Sequence, residues 1–152
     1  MAGMSRHGSI VGQIQYVLGW LDSIPYAFIA IPLRLAVADV FWRSAMTKLP
    51  SWDMTLALFA QEYKVPLISS EVAAYLSIGL EISCPILLVL GLLTRFAAFL
   101  LLGMTAVIEI FVYPEAWPTH IQWAAMLFVL LARGGGGLSV DHWLRRHLIV
   151  ND

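Results

Sequence analysis

The chain has 152 residues, 60% of them hydrophobic and only 12% charged, with a formal net charge of −1 and a mean hydropathy of +0.79. A soluble domain carries about 25% charged residues, so this composition disfavours a soluble enzyme, a disordered chain and a nucleic-acid binder. One domain of integral membrane protein remains, or a soluble chain with an unusually large interface.

The N-terminus is expected to stay uncleaved. Arg6 and His7 resemble the charged start of a signal peptide, but the following SIVGQIQYVLGWLDSIPY is interrupted by Gln13, Gln15 and Asp22 and lacks a small-residue cleavage site. Ile10 to Leu21 reads as an interfacial helix, with Ile10, Ile14, Val17, Leu18 and Leu21 on one face.

A bilayer core of about 30 Å needs roughly 20 apolar residues in a helix, and four stretches qualify as spans. The first runs from about Ile31 to Leu49, with Pro32 in its first turn. The segment from Pro50 to Ser70 is too amphipathic for a plain loop. Trp52, Leu56 and Phe59, with Met54 and Leu58, predict a short helix on the membrane surface. The second span, Glu71 to Leu93, contains Pro85, where a kink is expected. A tight hairpin at Thr94 and Arg95 leads into the third, Arg95 to Tyr113, stopped by Pro114. The fourth, Trp117 to Ala132, has Pro118 in its first turn and ends at RGGGG, read as a helix stop plus hinge. Trp117 and Trp123 are candidate interfacial or packing aromatics. Gly79, Gly91 and Gly103 would allow close helix approach. The tail LSVDHWLRRHLIVND predicts a short amphipathic helix with Ser139 as N-cap and Val140, Trp143, Leu144 and His147 near one face.

The fold class is therefore all-α: a four-helix transmembrane bundle with an amphipathic outer loop and interfacial terminal helices. It divides into an N-terminal interfacial segment (1–30), the bundle (31–137) and an amphipathic cytoplasmic tail (138–152). Arg6, Arg95, Arg133, Arg145 and Arg146 fall on the side of both termini; Lys64 faces the other, with Arg43 and Lys48 if flanks count. That bias predicts both termini inside a bacterial inner membrane.

Ionisable side chains within spans are costly and tend to be functional. Helix one carries Arg34, Asp39, Arg43 and Lys48, helix two Glu81 and helix three Glu109. With a rise of about 1.5 Å per residue, Arg43 and Glu81 lie at similar depths, roughly 15 and 16 Å from the inner boundary. Lys48 and Glu109 also match, at roughly 22 and 20 Å. Two interhelical pairs are predicted, Arg43–Glu81 and Lys48–Glu109, with intrahelical Asp39–Arg43 as a third option. Together Asp39, Arg43, Lys48, Glu81 and Glu109 form a predicted polar cluster in the middle and outer half of the bundle. It serves either to neutralise charge and fix helix register, or as a headgroup site for a quinone or other small ligand, or as a proton relay. His120, in WPTHIQW at the outer interface, reads as a hydrogen-bonding residue. No metal site is expected, because Glu109, Glu115 and His120 include a single imidazole. Cys84 is the chain's one cysteine and reads as a small core residue, so no disulfide or thiol redox pair can form within the chain.

Several segments together resemble the DoxX family of small four-helix membrane proteins, over about Leu33 to Trp143. They are RLAVADVFWRSAMTKL in helix one, EISCPILLVLGLLTR in helix two with its Gly-Leu-x-Thr-Arg turn, and GGGGLSVDHW in the tail. LFAQEYKVP, GMTAVIEIFVYPEAWPTH and LLARGGGG further resemble a bacterial subgroup that accompanies multinuclear iron-dependent oxidases modifying metal-binding peptides. The chain departs from that subgroup at Ala45 and Glu109, where glycine and glutamine are commoner. The resemblance implies a membrane subunit or accessory factor of an oxidoreductase or metal-handling system. Arg43, Lys48 and Glu81 match the family's polar pattern. No intrinsic cofactor is implied; a bound quinone would have to supply any redox chemistry, so the chain is not expected to be catalytic alone. The alternatives are a non-catalytic assembly or stress-related membrane protein with structural charges, and a small transporter that would need homo-oligomers. The lipid bilayer is the common partner in all three readings.

Overall fold

The computed structural model describes residues 10–148. Arg6 and His7, and the end of the tail beyond residue 148, lie outside the described residues. The helices are α1 (Ile10–Asp22), α2 (Tyr26–Lys48), α3 (Trp52–Leu58), α4 (Ser70–Leu90), α5 (Thr94–Val107), α6 (Trp117–Arg133) and α7 (Val140–Leu148), with no strand among the described residues. Two π-helical turns extend this set, Phe59–Tyr63 after α3 and Ile108–Val112 after α5.

Helices α2, α4, α5 and α6 pack in a ring, each against two others, giving the four-helix bundle. Its core is a small-residue and leucine layer that includes Val37, Phe41, Leu88, Ala97, Ala98, Leu101, Leu127 and Leu130. The free thiol of Cys84 is buried in this layer. Helix α4, of 21 residues, and α5 with its π turn, 19 residues from Thr94 to Val112, are each long and apolar enough to cross a membrane. Helices α1 and α2 pass the same test only as a pair, bent by 62°. Helix α6 has 17 residues, at the short end of the range of about 17–25 for a spanning helix. The chain is a multi-pass integral membrane protein in contact with the bilayer.

Helix α2 begins at Tyr26, five residues before the sequence boundary, so Pro32 lies inside the helix and not in its first turn. The chain enters from Pro25 in extended conformation, which suits a residue with fixed φ and no N–H. Helix α1 buries no residue. Segment α3 also departs from expectation. It does not turn its apolar side outward: Trp52, Leu56 and Phe59 pack towards Ala73 and Ala74 of α4. The Thr55 hydroxyl donates to the Lys48 carbonyl at 2.6 Å, and this bond satisfies one of the free carbonyls at the α2 C-terminus. Gly79 and Gly103 make no close helix contact, since a Cβ at either would meet nothing within 4 Å.

The end of the bundle at the α4–α5 hairpin is fastened by two side chains. Helix α4 closes on Gly91 (φ 69°), with the Leu92 N–H bonding to Leu87 O at 3.0 Å, a Schellman closure that a Cβ would strain. The buried Arg34 guanidinium then donates to Leu88 O and Val89 O, both at 2.6 Å, to Leu138 O at 2.9 Å and to Gly135 O at 3.2 Å. A cation therefore covers the negative end of the α4 dipole. Asp141, from the tail, does the opposite at α5: its two oxygens accept from Leu93 N–H (2.7 Å) and Thr94 N–H (2.9 Å), while its own N–H bonds to Gly91 O at 2.9 Å. Ser139 caps α7 as expected, accepting from His142 N–H at 3.2 Å. The glycine run is a packed turn and not a hinge. A Cβ at Gly135 would lie 2.6 Å from Thr94 Oγ1, and one at Gly136 would lie 3.1 Å from both Ala27 and Ala30.

Removing the Arg34 fork takes the side-chain donor from Val89, Gly135 and Leu138 O, while Leu88 O keeps its bond from Gly91 N–H. Arg34→Ala should cost about 3 kcal/mol or more in equilibrium unfolding in detergent. Arg34→Lys, which keeps the charge but not the fork, should fall between it and the parent. An unchanged midpoint for Arg34→Ala would remove this contact from the account.

Candidate functional site

The buried stripe of α2 runs Ala30, Arg34, Val37, Phe41, Ala45, Lys48, a helical repeat of three and four residues. Both buried cations of the helix lie on it. The buried stripe of α4 runs Ala74, Ile78, Glu81, Cys84 and Pro85, Leu88, so Glu81 faces α2. Lys48 and Glu81 meet as a buried ion pair, with Nζ 2.7 Å from Oε1 and 2.8 Å from Oε2. Their side chains are only 7% and 1% exposed, which makes this a desolvated pair and not a surface contact. Two hydroxyls complete it. Ser44 accepts from Lys48 at 2.7 Å and donates to Glu81 at 3.1 Å; Ser77 donates to Glu81 at 3.2 Å. All three ammonium donors are used.

Of the three expected pairs only the intrahelical Asp39–Arg43 forms. Arg43 does not reach Glu81; it pairs with Asp39 one turn back at 2.8 Å, on the outer side of α2, with side chains 77% and 58% exposed. Arg43 and Asp39 lie off the stripe that holds Phe41 and Lys48, so they point away from Glu81. Glu109 does not reach Lys48 either. It meets His120, with Oε2 2.6 Å from Nδ1, a hydrogen bond between the ring and the carboxyl group. Glu109 sits in the π turn after α5, and an added residue in a turn shifts every later side chain around the helix. His120 is buried in the first turn of α6 and packs on Trp123, ring centroids 5.0 Å apart. Trp123 in turn meets Phe41 edge-on at 5.8 Å. Trp117 is exposed.

These groups surround a cavity of about 520 Å³. Its polar wall is Ser44, Lys48, Ser77, Glu81 and His120; its apolar wall includes Phe41, Phe59, Leu80, Met104, Ile108 and Trp123. Arg43 reaches its edge. Asp39 and Glu109 do not line it; Glu109 acts on it through His120. Both π turns contribute, and they are joined across the mouth by Tyr63 and Tyr113, whose rings meet edge-on at 5.7 Å. The Tyr113 hydroxyl bonds to Glu62. That bond, with burial second, raises the Tyr113 pKa well above the phenol range; burial also raises Tyr63. Both phenols stay protonated through neutral pH and keep their donors. The tyrosine pair and Ser44, Ser77 and Phe59 carry no ionisable signal in the middle of a span, and sequence reasoning missed them. Among the described residues no three His, Cys, Asp or Glu side chains converge as a metal site.

The fold is thus that of a small polytopic membrane protein with a polar cluster enclosed between helices. The family model for DoxX matches residues 29–114, from the start of α2 to the turn after α5, and the chain belongs to the DoxX family. Helix α6, with His120, and the tail lie beyond the matched residues. Comparison with curated proteins and with solved structures gave no match.

Leaving Lys48 buried without its carboxylate should be costly. Glu81→Ala should lose about 3–5 kcal/mol of stability, measured by denaturant unfolding in detergent. Lys48→Met with Glu81→Leu should recover most of that loss, and Asp39→Asn should have less effect than Glu81→Ala. Equal losses for Asp39→Asn and Glu81→Ala would contradict the assignment.

Proposed function

We propose that this DoxX-family protein binds the polar headgroup of a small amphipathic ligand of the quinone class in the cavity between α2, α4, α5 and α6. In this role it serves as a membrane subunit or accessory factor of an oxidoreductase or metal-handling system. The observation that carries the proposal is the cavity itself, about 520 Å³, within the range of about 300–1,000 Å³ for small-molecule sites that are mostly apolar with a few placed polar groups. His120 supplies one such group. Its Nδ1 is held by Glu109, which leaves Nε2 for a ligand oxygen. Phe41, Phe59 and Trp123 offer aromatic faces for a flat ring.

The accessory role rests on the family. The ligand, and not the chain, would bring redox chemistry. The arginine excess at the hairpin and tail end supports both termini inside; in that orientation the cavity would lie in the outer half of the membrane. A second reading, that the charges are structural in a non-catalytic assembly protein, is favoured by one observation: Lys48 has no donor left over once Glu81 and Ser44 are bound.

Titration of the purified protein with a short-chain quinone analogue, followed by tryptophan fluorescence, separates the two. Saturable quenching is expected, weakened about tenfold in His120→Ala by loss of one buried hydrogen bond and retained in Asp39→Asn. A parent protein without saturable binding rejects the ligand reading and leaves the structural one.

A further inference from the structure

At the opposite end of the bundle, a second cavity of about 630 Å³ lies between the α4–α5 hairpin, the glycine run and the start of α7. Three guanidinium groups line it, from Arg95, Arg133 and Arg145, together with His142. They come from three separate helices, so the fold and not the local sequence gathers them. Among the described residues none of the three is in a salt bridge. Arg95 donates to Ala132 O at 3.1 Å, and Arg133 lies over the Tyr26 ring, 4.3 Å from its centroid. Each contact orients a guanidinium and leaves most of its five N–H donors unused. The one carboxylate in the lining, Asp141, has both oxygens engaged by the backbone of Leu93 and Thr94. It offsets one positive charge of three.

Location selects the ligand. The cavity sits where α4 and α6 end and α5 begins, and the ends of spanning helices lie at headgroup level. Leu93 and Phe96 line the same cavity with exposed apolar side chains, suited to the first methylenes of an acyl chain. We propose that this cavity binds the phosphate ester of an anionic phospholipid headgroup, held by the forks of Arg95, Arg133 and Arg145. The site is independent of the ligand cavity near Lys48. It also explains why these cations lack carboxylate partners: their counter-ion is supplied by the membrane.

Native mass spectrometry of the full chain from detergent, with phosphatidylglycerol and phosphatidylcholine in equal amounts, tests this. The parent should retain phosphatidylglycerol at least about tenfold better. Arg145→Gln, an exposed change on α7, should weaken retention about fivefold, and Arg133→Gln with Arg145→Gln should weaken it further. Lys64→Gln, a cation at the other end, should leave it unchanged. Equal retention of the two lipids by the parent, or undiminished preference in Arg145→Gln, overturns the proposal. A thermal-shift arm distinguishes the sources of phosphate. Stabilisation by phosphatidylglycerol and not by inorganic phosphate supports the lipid, and equal stabilisation by inorganic phosphate overturns it in favour of a free anion.

Discussion

A cation enclosed in a helical bundle must meet either a carboxylate or a set of carbonyl oxygens, and α2 carries two such cations on one stripe. Arg34 and Lys48 are fourteen residues apart, both buried, and both find their partners on α4. Arg34 takes the Leu88 and Val89 carbonyls at the α4 C-terminus, and Lys48 takes the Glu81 carboxylate further along the helix. The helix pair is thereby fixed in register at two points, with the small-residue core between them. Neither contact tolerates a shift of one residue, because a rotation of about 100° would carry the cation off the interface.

That clamp divides the molecule into two ends with different chemistry. At the Arg34 end the tail folds back, Asp141 caps α5 and the glycine run packs against α2 and Thr94. This end is held together by side-chain bonds to backbone groups. At the Lys48 end two π turns interrupt the regular helices, and the α3 segment packs on α4 through Phe59 and bonds to α2 through Thr55. The cavity is the space this arrangement leaves. In its polar wall Ser44, Lys48, Ser77 and Glu81 satisfy each other, while His120 bonds to Glu109 through one ring nitrogen.

Much of the fold was legible because its signals are local. Pro114 and Gly134 bound helices for reasons of backbone geometry, and scarcity of charge identified the spans; Pro25 and Gly91 also bound helices, but the sequence boundaries there fell at Ile31 and Leu93. That charges fall within the spans was legible too. The interhelical pairing was misread because depth was used without azimuth: Arg43 was matched to Glu81 in depth but falls off the stripe that Ala30, Arg34, Phe41 and Ala45 define, and only the intrahelical Asp39–Arg43 option forms. The inward direction of Lys48 could have been read from that same stripe. Other features had no local signal. The π turn at Glu109 redirects its side chain to a histidine eleven residues on. Asp141 caps a helix 47 residues earlier in the chain. The inward packing of α3 depends on a hydroxyl reaching the end of another helix, which an amphipathic pattern alone cannot distinguish from a helix lying on the surface.

The central claim is that Lys48, and not Arg43, is the partner of Glu81, and charge reversal tests it most directly. Lys48→Glu and Glu81→Lys should each fail to yield a stably folded monodisperse protein in detergent, since each buries two like charges side by side. The double reversal should restore folding, because Ser44 and Ser77 can donate or accept with the charges in either order. Rescue of Glu81→Lys by Lys48→Glu, with none by Arg43→Glu, is the predicted result; rescue by Arg43→Glu and not by Lys48→Glu would contradict it.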